Sequence, residues 1–247
     1  MGCAGKKEKQ VVKVGATPVP HAVLLNLVKA DLAEKGVALE VVEFTDYVQP
    51  NIALENGDLD ANFFQHLPYM DSFNQERNFN LVSVAGIHIE PMGVYSKKID
   101  SLDKLQEGAA VGVPNDPTNE GRALLLLQSA GLIKLKNGAG LTATVQDIEE
   151  NVRNLKFFEL EAAQLPRAVE DLELAVINGN YAIDAGLTKK EALVVEGASS
   201  PYVNIVAVKS GNETSDKITA LVEALQSQKV KDFINKEYAD GEVVTVF

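Results

Sequence analysis

Short β-rich runs alternate with stretches of helical periodicity along nearly the whole chain, and this alternation restricts the fold more than any other feature. It implies an α/β layout around largely parallel sheets. Val11-Val12-Lys13-Val14-Gly15-Ala16 reads as a first strand, and Pro20 stands in the opening turn of a helix. The apolar positions of that helix, Leu24, Leu25, Leu27, Val28 and Leu32, recur on a helical period. Further strands are expected at residues 39–44, 59–64, 81–89 and 93–95, with a helix opening around Pro50 and another over 66–78. A second series follows: Ser101 capping a short helix, a strand at 109–113, a helix at 118–130 ended by Gly131, and strands at 154–158, 174–177 and 202–208. One helical stretch over 216–238 and an apolar run at 243–246 close the series.

Composition narrows the function classes. Lys and Arg number 23 against 35 Asp and Glu, a net charge of −12, which argues against nucleic acid as a partner. No apolar run reaches the ~18 residues that cross a bilayer. One cysteine forbids an internal disulfide and a cysteine-based zinc cluster. The 247 residues suit one large domain or two lobes, and no long linker is visible. Two lobes would have to be joined by short crossings near residues 90–92 and 200–201. The first ten residues read as a tether, with Cys3 in it. Cys3 is either a stray thiol or the lipid-bearing cysteine of an exported lipoprotein. Gly2 fits the small residue before such a cleavage site, although no apolar signal region precedes it.

No catalytic constellation is present in the sequence. His21, His66 and His88 have no metal-ligand spacing, and nucleophile elbow, phosphate loop and dinucleotide fingerprint are all missing. An enzyme is therefore disfavoured, and no metal or cofactor is expected. Polar and aromatic residues gather instead just after strands, the edge where open α/β sheets bind ligands. The densest stretch runs from Asp60 to Tyr69, with Asn62, Phe63, Phe64, Gln65 and His66 between. Neighbouring side chains on a strand face opposite ways, so one of the two phenylalanines belongs to the core. His66 starts a helix or, with Asn62, Gln65 and Tyr69, lines a pocket. A second cluster, residues 114–122, places Thr118 as an N-cap and Arg122 one turn on. Arg122 is either a bidentate carboxylate clamp or paired with Glu120 or another surface acid. Amides recur at Asn178 and Asn180 after a strand, and at Asn204 beside Tyr202. Asn in loops is commonly a turn former.

Taken together, these residues resemble the methionine-binding lipoproteins (NlpA/MetQ family), solute-binding components of bacterial ABC importers. The matching stretches are Gly15-Ala16-Thr17-Pro18 with Pro20-His21, residues 44–51, 57–66 through Tyr69, 114–119 through Leu124, 178–182 and 201–204, and the likeness runs from Val11 to the C-terminus. The resemblance implies a two-lobed periplasmic-binding-protein (type II) fold with a ligand cleft between the lobes. Residues 11–91 plus 202–247 would form lobe 1 and 92–201 lobe 2. By the same resemblance, Arg122 and Asn119 hold the amino acid's carboxylate and neighbouring polar atoms, and Phe64, His66 and Tyr69 line the thioether. Asn180 and Asn204 complete the polar end, with Asn178 and Tyr47 as companions. It implies L-methionine as ligand, ABC permease and ATPase subunits as partners, and a membrane anchor through lipid on Cys3, facing the periplasm or the cell exterior. D-methionine, a methionine-containing dipeptide or another small apolar amino acid remain alternatives in the same class. An enzyme on the same fold and a surface adhesin are alternatives outside it. Aromatic rings contact a polarizable sulfur favourably, at ~0.3–1.5 kcal/mol each.

Overall fold

The computed structural model describes residues 10–197 and 200–247. Cys3 and the rest of residues 1–9 lie outside them, and Gln10, read as tether, already belongs to the first strand. The chain runs β1 (Gln10–Ala16), α1 (Val23–Glu34), β2 (Val37–Glu43), α2 (Gln49–Asn56), β3 (Ala61–His66), α3 (Leu67–Arg77) and β4 (Leu81–Ile89). It continues through β5 (Gly93–Tyr95), β6 (Ala110–Pro114), α4 (Pro117–Ser129), β7 (Lys134–Leu135), β8 (Ile148–Glu150) and β9 (Lys156–Leu160). Next come α5 (Leu165–Ala168), β10 (Leu174–Ile177), α6 (Gly179–Asp184) and β11 (Val194–Val195). The last elements are β12 (Val203–Lys209), α7 (Asp216–Leu225), α8 (Gln228–Glu237) and β13 (Val244–Thr245).

Contacts divide the chain into two compact units. The first comprises Met1–His88, Val203–Glu237 and Thr245–Phe247, and the second Ile89–Tyr202 with Tyr238–Val244. The segment Tyr238–Val244 thus groups with the second unit, although the sequence reading put it with the first. A six-stranded sheet has the order β13-β4-β12-β3-β1-β2, and a five-stranded sheet the order β11-β5-β10-β6-β9.

These sheets are α/β but mixed rather than largely parallel. β1 lies parallel to β2 and β3, and β6 parallel to β9 and β10. β12 runs antiparallel to β3, and β5 antiparallel to β10 and β11. Parallel neighbours need a helical crossover, which α1 and α2 provide for β2 and β3. β5 and β12 follow changes of unit, with no such crossover.

Each unit has its own core. In the first, Leu24, Leu25, Val28 and Leu32 form the buried stripe of α1, and every residue of β3 is buried. In the second, Val111 and Val113 of β6, Leu124 and Leu127 of α4, and Leu174 and Val176 of β10 share one apolar cluster. Gly131 ends α4 at φ +72°, a conformation that favours glycine. The helical stretch expected over 216–238 is two helices, because Ser227 restarts the chain. Its carbonyl accepts the Val230 and Lys231 N–H groups at 3.1 and 3.2 Å. The third strand lies two residues later than expected, at Ala61–His66. His66 is the N-cap of α3, with the extended backbone that position requires (φ −94°, ψ 160°).

Gly121 shows how tightly α4 packs. A methyl group there would overlap the Leu141 carbonyl oxygen and stand 2.9 Å from the Ala143 nitrogen. Gly→Ala in an unobstructed helix stabilises by roughly 0.5–1 kcal/mol. Gly121→Ala is expected to destabilise instead, by about 1–3 kcal/mol, as overpacking does. Thermal unfolding checks this: a lowered midpoint is expected, and a raised one would contradict the packing.

Candidate functional site

In the second unit the site begins where β6 meets α4. Pro117 occupies the first turn of α4, so the residue before it is held extended, as an N-cap must be. Asp116 is that cap (φ −84°, ψ 143°), which corrects the expectation that Thr118 would be. Its carboxylate accepts the Asn119 backbone N–H at 3.0 Å and the Thr118 hydroxyl at 3.1 Å. The N-terminus of α4, the end of a helix that favours an anion, is therefore capped by the chain's own carboxylate. Burial pushes the Asp116 carboxyl above its ordinary range, and its hydrogen bonds from Asn119 and Thr118 only partly oppose this.

An amide relay extends from this cap. The Asn119 side-chain Nδ2 donates to both Asp116 oxygens, at 3.0 and 2.9 Å. That leaves Asn119 Oδ1 to accept from Asn178 Nδ2 at 2.8 Å. The polarity of the Asn178 amide is thereby fixed, with Nδ2 toward Asn119 and Oδ1 pointing away. Asn178 Oδ1 is buried and has no hydrogen-bond partner among the described residues. Such a group is an open acceptor waiting for a donor. Asn178 and Asn180 sit at the N-cap and first turn of α6, and both are buried. The intervening Gly179 is required, because a methyl there would lie 2.6 Å from Glu90 Cβ.

Arg122, one turn into α4, is 4% exposed. Its Nε and Nη2 bond the Glu196 carboxylate at 3.1 and 2.5 Å, and Nη2 also donates to the Glu90 carbonyl at 2.8 Å. The Tyr202 ring covers one face of the guanidinium, 4.3 Å from Cζ. Burial pushes the Tyr202 phenol upward, with Arg122 opposing. Glu120 takes no part, for it accepts the Val145 N–H at 2.8 Å. Nη1 makes no hydrogen bond to any described residue.

In the first unit, β3 and α3 gather the aromatic residues. Phe64, Tyr47 and Tyr69 have ring centroids about 6 Å apart, at 5.9, 5.9 and 6.1 Å, and Phe73 extends the group at 5.8 Å from Tyr69. The Tyr69 hydroxyl donates to the Tyr47 carbonyl at 3.0 Å, tying the loop before α2 to α3. His66 Nδ1 accepts the Tyr69 backbone N–H at 3.2 Å, so the imidazole itself caps α3. Phe63 faces the other way, edge-on to His21 at 4.6 Å. Strand alternation separates the two phenylalanines as expected, yet both are buried.

Asn204 reaches this region through register: β12 pairs it opposite His66. Its Oδ1 lies 3.2 Å from His21 Nε2, and His21 Nδ1 lies 2.8 Å from the Thr17 hydroxyl. An acceptor oxygen on Nε2 requires that nitrogen to carry a proton, which turns Asn204 Nδ2 outward. The histidines, unrelated by sequence spacing, partly converge here, with His21 and His88 ring centroids 5.0 Å apart. Asn62 and Gln65, expected near a pocket, are spent on each other and on Asn51. Gln65 Nε2 donates to Asn51 Oδ1 at 2.7 Å and Asn62 Oδ1 at 3.0 Å, while Asn51 Nδ2 returns to Gln65 Oε1 at 2.8 Å.

The structure thus collects Tyr47, Phe64, His66, Tyr69 and Asn204 in one unit, and Asn119, Arg122, Asn178 and Asn180 in the other. Sequence reasoning missed Asp116, Glu196, Thr17 and the part played by His21. Asp116 was detectable, since Asp before Pro at a helix start is a capping signal. Glu196 lies 74 positions from Arg122 and His21 lies 183 from Asn204, so no local pattern joins them.

The likeness to known proteins is extensive. The NlpA lipoprotein family model matches residues 12–247. The D-methionine-binding lipoprotein MetQ of Escherichia coli (strain K12) is 46% identical over 98% of this chain and 92% of its own length. A nutrient binding protein from Burkholderia cenocepacia, solved bound to methionine, is 48% identical at a TM-score of 0.92, covering 96% of this chain and 100% of that one. A periplasmic substrate-binding protein of an ABC transporter from Coxiella burnetii is 43% identical at a TM-score of 0.90, over 95% and 100%. Identity at this level across nearly the full length of each chain means that the protein belongs to the NlpA lipoprotein family.

Proposed function

We propose that this protein is an extracytoplasmic solute-binding lipoprotein that takes up L-methionine and passes it to the permease and ATPase subunits of an ABC transporter. The observation that carries the reading is the presence, in the second unit, of a buried guanidinium whose Nη1 and a buried amide whose oxygen make no hydrogen bond to any described residue. An α-amino acid brings the two groups these require, a carboxylate and an ammonium. Arg122 Nη1 takes the carboxylate and Asn178 Oδ1 accepts from the ammonium, with Asn119 holding Asn178 and Asn180 beside it. Tyr47, Phe64, His66 and Tyr69 take the thioether, and Asn204 offers its outward Nδ2 to the polar end.

The names of close relatives support methionine, and one relative was solved with methionine bound. Several carry D-methionine in their names, so the enantiomer is tested by titrating both. A methionine-containing dipeptide or another small apolar amino acid would show in the same titration, and turnover of any of them would favour an enzyme. The anchor in this reading is a lipid on Cys3, with the protein facing the periplasm or the cell exterior. No helix among the described residues is long and apolar enough to cross a membrane.

Three variants test the reading. Arg122→Ala is expected to weaken methionine binding by about 2–5 kcal/mol, the cost of truncating one partner of a buried charge pair. Asn178→Ala is expected to cost about 1–3 kcal/mol by deleting the ammonium acceptor. Calorimetric titration of folded protein checks each, and unchanged affinity in either removes that residue from the site. Asp116 supplies a pH test of the relay's anchor. Its folded-state pKa lies above the ordinary 3.8, so the folded protein holds the proton more tightly than the unfolded chain. Its contribution is therefore fully present below the unfolded value and lost as pH rises through the folded one. Urea unfolding should show this decline in the wild type and a flatter profile in Asp116→Asn, which keeps the cap. Identical profiles would contradict it.

A further inference from the structure

We infer that Glu196 is a positioning residue that sets the charge selectivity of the methionine site by fixing which nitrogen of Arg122 faces the ligand. The inference rests on the proposed function and deepens it. A guanidinium has five N–H donors. In Arg122 three are engaged inside the second unit: Nε on Glu196 Oε1 at 3.1 Å, and Nη2 on Glu196 Oε2 at 2.5 Å and the Glu90 carbonyl at 2.8 Å. Tyr202 closes one face of the group at 4.3 Å. Glu196 is itself held, because Oε2 also accepts the Met92 backbone N–H at 3.3 Å. The pair is fixed from several sides, and among the described residues the two hydrogens on Nη1 have no acceptor, which leaves them for a ligand.

Two consequences follow. First, Arg122 meets a ligand carboxylate through one nitrogen, not through the fork that its side chain could offer alone. Second, the Arg122–Glu196 pair is neutral overall. A buried guanidinium without a partner carries an uncompensated charge and attracts any anion. With Glu196 in place, a ligand bearing only a carboxylate gains no net attraction, while a zwitterion also satisfies Asn178 Oδ1. Glu196 thus rejects acids that lack a free ammonium, an element of repulsion beside the attractive contacts.

The test compares methionine with N-acetylmethionine, which keeps the carboxylate and side chain but not the ammonium. Competition titrations give the ratio of their dissociation constants. Glu196→Gln should weaken methionine by about 10-fold and narrow the preference for methionine over N-acetylmethionine by about 10-fold or more. Glu196→Asp keeps the charge, so that preference should stay within about 3-fold of wild type although methionine binds more weakly. An unchanged preference in Glu196→Gln overturns the inference. So does tighter methionine binding, which would make Glu196 a competitor for the guanidinium. If Glu196→Gln fails to fold by circular dichroism, Glu196→Asp decides alone, and a preference altered by about 10-fold there overturns the inference. Wild-type protein that binds neither compound would refute the proposed function instead.

Discussion

A guanidinium buried to 4% exposure is the constraint from which the second unit's polar architecture follows. Such a charge is tolerated only when paired and hydrogen-bonded, because its desolvation is not otherwise offset. Glu196, the Glu90 carbonyl and the Tyr202 ring meet that demand from three separate stretches of chain. The sequence-distant partners of Arg122 therefore belong to the fold as much as to any site. The close approach at Gly179, where a side chain would strike Glu90, is part of the same arrangement.

Preorganisation recurs in both units through side-chain amides whose polarity is imposed from one end. In the second unit the imposing group is the Asp116 carboxylate, which accepts only, and the direction passes through Asn119 to Asn178. In the first unit Asn204 holds its oxygen 3.2 Å from His21 Nε2, and His21 Nδ1 lies 2.8 Å from the Thr17 hydroxyl, which can donate to it. Within its own unit, each amide thus presents one polarity: Asn178 an acceptor oxygen, Asn204 a donor nitrogen. An amide whose polarity is already set has less to reorganise on meeting a ligand. The aromatic set is held comparably, with Tyr69 bonded at its backbone by His66 and at its hydroxyl to Tyr47.

Much of the fold was legible because it is written in local signals. The strands at Leu81–Ile89, Gly93–Tyr95 and Leu174–Ile177 fall where β-rich runs predict them, and Gly131 ends its helix as expected. What failed locally did so for identifiable reasons. Pro117 moved the cap from Thr118 to Asp116 by fixing the backbone before it, and Ser227 divided one apparent helix into two. The expectation of largely parallel sheets did not cover β5 and β12, which run antiparallel to their neighbours, because strand direction depends on the route of the chain and not on any residue pattern. Of the candidate site residues, those at strand ends stood out from composition and spacing. Their partners did not, since contacts such as Arg122 with Glu196 exist only after folding. Family resemblance supplied the roles that spacing could not assign.

The measurement that bears most directly on the central claim is calorimetric titration of protein first unfolded to release any retained ligand and then refolded. L-methionine, D-methionine and other apolar amino acids would be titrated in parallel. The account predicts saturable heat with methionine at one ligand per chain, strongest for the L form, and little or none with amino acids lacking the thioether. A refolded protein that gives no heat with either enantiomer of methionine would contradict it.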